Sequence, residues 1–192
     1  MKVGNFLAAS ALALSGALAA THASAQAFIG GSIGQSDMDE EIAAGLITSG
    51  TVDAKDTGYK IFGGYMFNRN FGIEGAYVNL GEVSYSGDFF GSPVTGGKVE
   101  VSGFNISALG AVPINEQFSV FGKIGLLLWD AEASDTTGGV PFSAKEDGTD
   151  ISFGIGVNYD FTRNLGVRAE WEVFKTDEAD ATLLSIGVVW KF

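Results

Sequence analysis

The sequence predicts an eight-stranded antiparallel transmembrane β-barrel, with short turns at one end and long loops at the other. Three observations carry this expectation. Large apolar residues recur at every second position over most of the chain beyond residue 25. The connections between these segments alternate between tight turns and much longer stretches. The chain also stops on Phe192, with Trp190, Val188, Ile186 and Leu184 at alternating positions before it.

The first 25 residues read as an address. Lys2 is followed by an apolar run over 6–20, and Ala23, Ser24 and Ala25 form a small-residue cleavage site. The run is short for a membrane span and fits a secretory signal peptide. The expected domains are therefore a signal peptide, 1–25, and a barrel, 26–192. The only histidine, His22, lies in the signal, and the chain has no cysteine. The processed protein would hold neither residue. That excludes disulfides, thiolate catalysis, histidine-dependent triads and zinc-hydrolase sites.

Eight strands are expected, at 27–35, 57–67, 71–80, 99–112, 118–129, 151–161, 165–174 and 182–192. The alternation is cleanest in three of them. Ile151, Phe153, Ile155, Val157, Tyr159 and Phe161 share one face, opposite Ser152, Gly154, Gly156, Asn158 and Asp160. Leu165, Val167, Ala169, Trp171 and Val173 oppose Gly166, Arg168, Glu170 and Glu172. Phe118, Val120, Ile124, Leu126 and Leu128 oppose Ser119, Lys123 and Gly125. Strands of about 9–11 tilted residues suffice to cross a bilayer.

The turns at 68–70, 113–117 and 162–164 are rich in Asn, which tolerates turn geometry. The other connections, 36–56, 81–98, 130–150 and 175–181, hold 17 acidic residues against Lys55, Lys145 and Lys175, with Lys98, at a loop edge, counted among the strands. Strand charges cancel, so the formal charge of −12 gathers on one rim. So acidic a chain does not suit nucleic acid, whose phosphates need a basic surface.

Alternation alone would also fit a soluble ligand-binding barrel with its apolar face inward. The signal segment and two aromatic bands favour lipid outside. Phe67, Phe71, Phe118, Tyr159, Phe161 and Phe192 cluster at the turns, and Tyr59, Tyr77 and Trp171 lie toward the loops. A closed barrel pairs every main-chain group, as lipid demands. The expected place is the outer membrane of a Gram-negative cell. Turns and both termini would be periplasmic and the long loops extracellular.

An eight-stranded lumen is narrow enough to be filled by side chains, and charges there must pair. The polar faces hold Lys60, Lys123 and Arg168 against Glu74, Glu170 and Glu172, three of each sign. This interior network reads either as a structural plug or as a gate whose pairs exchange partners.

The stretches FIGGSIGQSD, TGYKIFGGYMFNRNFGIEGAYVNLG, GFNISALGAVPINEQFSVFGKIGL and LSIGVVWKF resemble the OmpA-like transmembrane barrel family. That resemblance implies an eight-stranded outer-membrane barrel with interior salt bridges, to which Glu74, Lys123, Arg168 and Glu170 correspond by motif position. It also implies a narrow-pore or anchoring role, and an assembly signal at Leu184, Ile186, Val188, Trp190 and Phe192 for the barrel-insertion machinery. Ser32 stands where the first strand often carries a basic residue. The chain ends at the barrel, so peptidoglycan anchoring is not expected.

In the loops, SDMDEE, 36–41, crowds four carboxylates but lacks the glycine and distal glutamate of an EF-hand. It reads as a solvated, repulsive rim, followed by the apolar Ile42, Leu46 and Ile47. Phe89 and Phe90 sit in a glycine-rich loop and pack at the barrel mouth or mark an adhesion surface. The function expected is a non-enzymatic outer-membrane barrel, structural or narrow-pore, without metal or cofactor. The alternative is an adhesin acting through its acidic loops. Outer-membrane lipid, lipopolysaccharide and the insertion machinery are the expected partners, and a monomer is expected.

Overall fold

In the computed structural model the described residues are 26–38, 49–53, 55–89, 92–137, 140–175 and 180–192. The signal segment 1–25, the acidic Asp39, Glu40 and Glu41, the apolar Ile42, Leu46 and Ile47, and Phe90 lie outside them. The described elements are strands: β1 (Gln26–Met38), β2 (Ser49–Asp53), β3 (Lys55–Met66), β4 (Phe71–Phe89), β5 (Ser92–Pro113), β6 (Phe118–Thr137), β7 (Val140–Asp160), β8 (Leu165–Lys175) and β9 (Asp180–Lys191).

Eight of these close into one antiparallel barrel, in which β1 pairs with β3 and each later strand with the next. The seam joins β1 to β9, from Phe28↔Lys191 to Met38↔Ala181. The short β2 stands outside the ring and pairs with the far end of β4, Ser49↔Asp88 to Asp53↔Ser84.

Large apolar side chains face outward along every wall. Ile61 and Ile106 are each 64% exposed, and Ile33, Ile73, Phe104, Leu126, Ile155 and Ile186 lie on the same outer surface. Such a continuous apolar band is unsuited to water and suited to lipid. At the turn end, rings of Tyr65 and Phe67 meet edge-on at 5.7 Å, and those of Tyr159 and Phe161 at 5.3 Å. At the other end Tyr77 touches both Tyr59 and Phe104. The two aromatic bands bracket the apolar one.

The three tight turns share one device. The side-chain oxygens of Asn68, Asn115 and Thr162 each accept from the main-chain N–H groups two and three residues on. Asn70 and Asn164 then donate across to the Ala111 and Lys191 carbonyls, fastening each turn to the neighbouring strand.

Strands β4 to β7 run well past the lipid-facing band. Stretches 81–98 and 130–150, read from sequence as loops, are mostly paired strand: β4–β5 reaches Phe89↔Ser92 and β6–β7 reaches Thr137↔Val140. Above the aromatic band the outer face meets water, so no outward row of apolar residues marks these strands. Between Asn79 and Glu82 the register slips by a bulge. Gly81 adopts φ 81° there, in the left-handed region that favours glycine. Its N–H donates to the Asn79 side chain, and Glu82 N–H to Asp56.

Candidate functional site

The barrel interior is the candidate site. Strand β8 contributes Arg168, Glu170 and Glu172 to it, because residues two apart share a face. Lys60 on β3, Glu74 on β4 and Lys123 on β6 arrive by the same parity. All six side chains are no more than 5% exposed.

Lys123 is the hub. Its ammonium lies 3.0 Å from Glu74, 2.8 Å from Glu170 and 2.5 Å from Glu172. Lys60 pairs with Glu170 and Glu172 from the other side. Arg168 reaches Glu74 at 2.5 Å and donates through Nε to Asn158 at 3.0 Å. Every carboxylate thus touches two cations, and the network is neutral. Neutrality matters because a buried unpaired ion costs several kcal/mol, roughly 3–5 when one partner is removed. Ser32 pairs in register with Lys60 and adds no charge.

Two different layers enclose this network. Toward the turns, the Arg168 guanidinium sits among Phe121, Phe62 and Phe28, at 4.5, 4.6 and 5.4 Å from the ring centroids. Glycine makes room for these rings. A Cβ on Gly64 would stand 2.4 Å from Phe28, and one on Gly156 would stand 2.5 Å from Phe121. Toward the loops, Val78, Leu80, Leu127, Phe174 and Leu183 are all buried to 2% or less, with Met38 and Val83 beside them. The turn-end rim closes with Lys191 and Asp160, 2.5 Å apart and partly exposed.

The sequence reading placed the six charges on inward faces but missed the apolar layer. Its signal was present where alternation fails. Val173-Phe174 and Leu183-Leu184 near the loop ends of β8 and β9, and Leu126-Leu127-Leu128 midway along β6, put apolar residues on both faces. A wall apolar on both faces must have an apolar interior.

The remaining sequence candidates lie elsewhere. Leu184, Ile186, Val188, Trp190 and Phe192 form an outward stripe on and just after β9, each 47–62% exposed. Phe192 N–H donates to the Ala27 carbonyl across the seam. In the crown, Lys98 pairs with Glu82 at 2.8 Å, and that hydrogen bond raises the amine above the ordinary lysine value.

The family described as outer membrane protein beta-barrel domain matches residues 6–192. Outer membrane protein A of Shigella flexneri is 27% identical over 154 residues, covering 75% of this chain and 42% of that one. Outer membrane protein A of Salmonella typhi is 28% identical over 153 residues, covering 74% and 42%. This chain therefore spans less than half the length of these relatives. Among solved structures, Ail of Yersinia pestis superposes with a TM-score of 0.60 at 18% identity, covering 88% of this chain and 100% of that one. OprG of Pseudomonas aeruginosa gives 0.57 at 13% identity, covering 88% and 96%. At those identities the likeness shows the fold. With the family match across the whole barrel, an apolar outer band and a closed eight-stranded ring agree on one conclusion: this chain belongs to the outer-membrane β-barrel family, as an integral protein of the outer membrane.

Proposed function

We propose that the protein is a closed, non-enzymatic structural barrel whose lumen does not conduct. The observation that carries this reading is the interior stack. A neutral six-charge network lies between an aromatic layer at the turn end and an apolar layer at the loop end. An ion crossing it would have to break paired charges and then shed its water against Phe174, Leu183 and Leu127. In this reading residues 1–25 are removed on export, and the turns and both termini face the periplasm. The β9 stripe ending at Phe192 is the signal read by the insertion machinery, and the acid-rich crown meets lipopolysaccharide and the outside. The crown's charge speaks against polyanionic ligands. Ail, the fold neighbour, was crystallised with the heparin analogue sucrose octasulfate.

Single-channel recording tests the proposal. Protein extracted from outer membranes, and shown by circular dichroism to be folded, is inserted into a planar bilayer. No reproducible openings are expected. Discrete small openings from the wild-type protein would refute the closed reading and turn the charge network into a gate.

A further inference from the structure

Among the described residues the crown has an open sheet edge, and its position follows from the pairing. β8 pairs with β7 only from Ser152 onward, opposite Phe174. Among the described residues, the part of β7 before Ser152 therefore has a partner strand, β6, on one side alone. The direction of its main-chain groups can be read from the turn end, where Asp160 N–H donates to the Gln117 carbonyl on the β6 side. Antiparallel strands alternate these directions residue by residue. The β6–β7 register runs unbroken from Phe118↔Tyr159 to Thr137↔Val140. Even-numbered residues of β7 thus face β6, and odd-numbered ones face away.

Ser143, Lys145, Asp147 and Thr149 accordingly present their N–H and C=O groups at the open edge, and their side chains are exposed. Pro141 shares this parity, has no N–H, and ends the run of donors. The available edge is about 20 Å long at roughly 3.3 Å per residue. Its surroundings are acidic. Asp130 and Glu132 on β6, with Glu146, Asp147 and Asp150 on β7, outnumber the nearby cations, Lys145, Lys175 and Lys98, which are already paired with Glu132, Asp180 and Glu82. A second copy of this chain would bring the same acid excess, so charge selects a basic occupant.

We propose that the β7 edge from Ser143 to Thr149 binds an extended, cationic segment of another protein by strand addition. Main-chain bonds to the four odd-numbered residues would hold the segment, and the flanking carboxylates would select for Lys and Arg. The proposal is independent of whether the lumen conducts.

The test titrates the full folded protein in detergent micelles with a labelled eight-residue peptide of alternating arginine and threonine. The control is the same peptide methylated at every main-chain nitrogen, which keeps its charge and loses its donors. Anisotropy should show binding to the first peptide at least about thirtyfold tighter than to the second, the worth of four net hydrogen bonds. Thr149→Pro removes an edge donor and leaves the bonds to β6 intact. It should weaken binding of the unmethylated peptide about two- to tenfold, the worth of one net hydrogen bond, without lowering the melting temperature. Ser143→Pro replaces it if Thr149→Pro melts early. Equal affinity for the two peptides, undiminished binding by a well-folded proline variant, or no binding at all would each overturn the proposal.

Discussion

Replacing Glu74 by Gln tests the interior network most directly. The substitution preserves volume and an acceptor for Arg168 but removes one negative charge from a neutral cluster. Arg168 then keeps Asn158 and three aromatic rings, while Lys123 keeps Glu170 and Glu172. The buried site acquires a net charge of +1. Removing one member of a buried pair costs about 3–5 kcal/mol. With a urea dependence of about 2 kcal/mol per molar, the unfolding midpoint should fall by about 2 M. Tryptophan emission in detergent micelles reads the transition. The decisive partner is the double variant Glu74→Gln/Arg168→Met. It restores balance, with Lys60 and Lys123 facing Glu170 and Glu172. Its cost should be well below the sum of the two single changes. An unmoved midpoint for Glu74→Gln, or a strictly additive double variant, would show that charge balance does not hold this interior together.

Three further outcomes are expected. Leu183→Asp places a carboxylate in the dry layer and should produce openings in planar bilayers that wild-type protein lacks; continued silence from folded protein would move the barrier elsewhere. Gly156→Val drives a side chain into the Phe121 ring and should cost about 1–3 kcal/mol, seen as a lowered melting temperature. Phe192→Ser should sharply reduce the amount of protein reaching the outer membrane in cells while leaving the urea midpoint of refolded protein within about 0.3 M of wild type. Equal loss of both would make Phe192 a packing residue and not a signal.

The parts of this fold that were readable are those constrained by two solvents at once. Lipid on one side and a crowded lumen on the other force period two, so Ile151 to Phe161 and Leu165 to Val173 announced both their strands and their faces. Parity then delivered Lys60, Glu74, Lys123, Arg168, Glu170 and Glu172 to the interior without any knowledge of distance. The crown was not readable, because Glu82, Ser84 and Glu132 sit in strands whose outer face meets water, where no apolar rhythm is required. The β2 strand was hidden for another reason. Its five residues, Ser49 to Asp53, take their pairing from β4 and carry no strong pattern of their own. The dry layer was legible in principle, through the doubled apolar positions at Val173-Phe174 and Leu183-Leu184.

The three capped turns bear on the order in which the molecule is built. Each joins strands that are neighbours in sequence, so the hairpins β3–β4, β5–β6 and β7–β8 need little chain to be drawn together. Among the described strand pairings, the seam joins the residues farthest apart in sequence, where Phe28 meets Lys191. Bringing its ends together costs about 3 kcal/mol more chain entropy than closing a four-residue turn. The seam is therefore the costliest of the described strand pairings to close from the open chain.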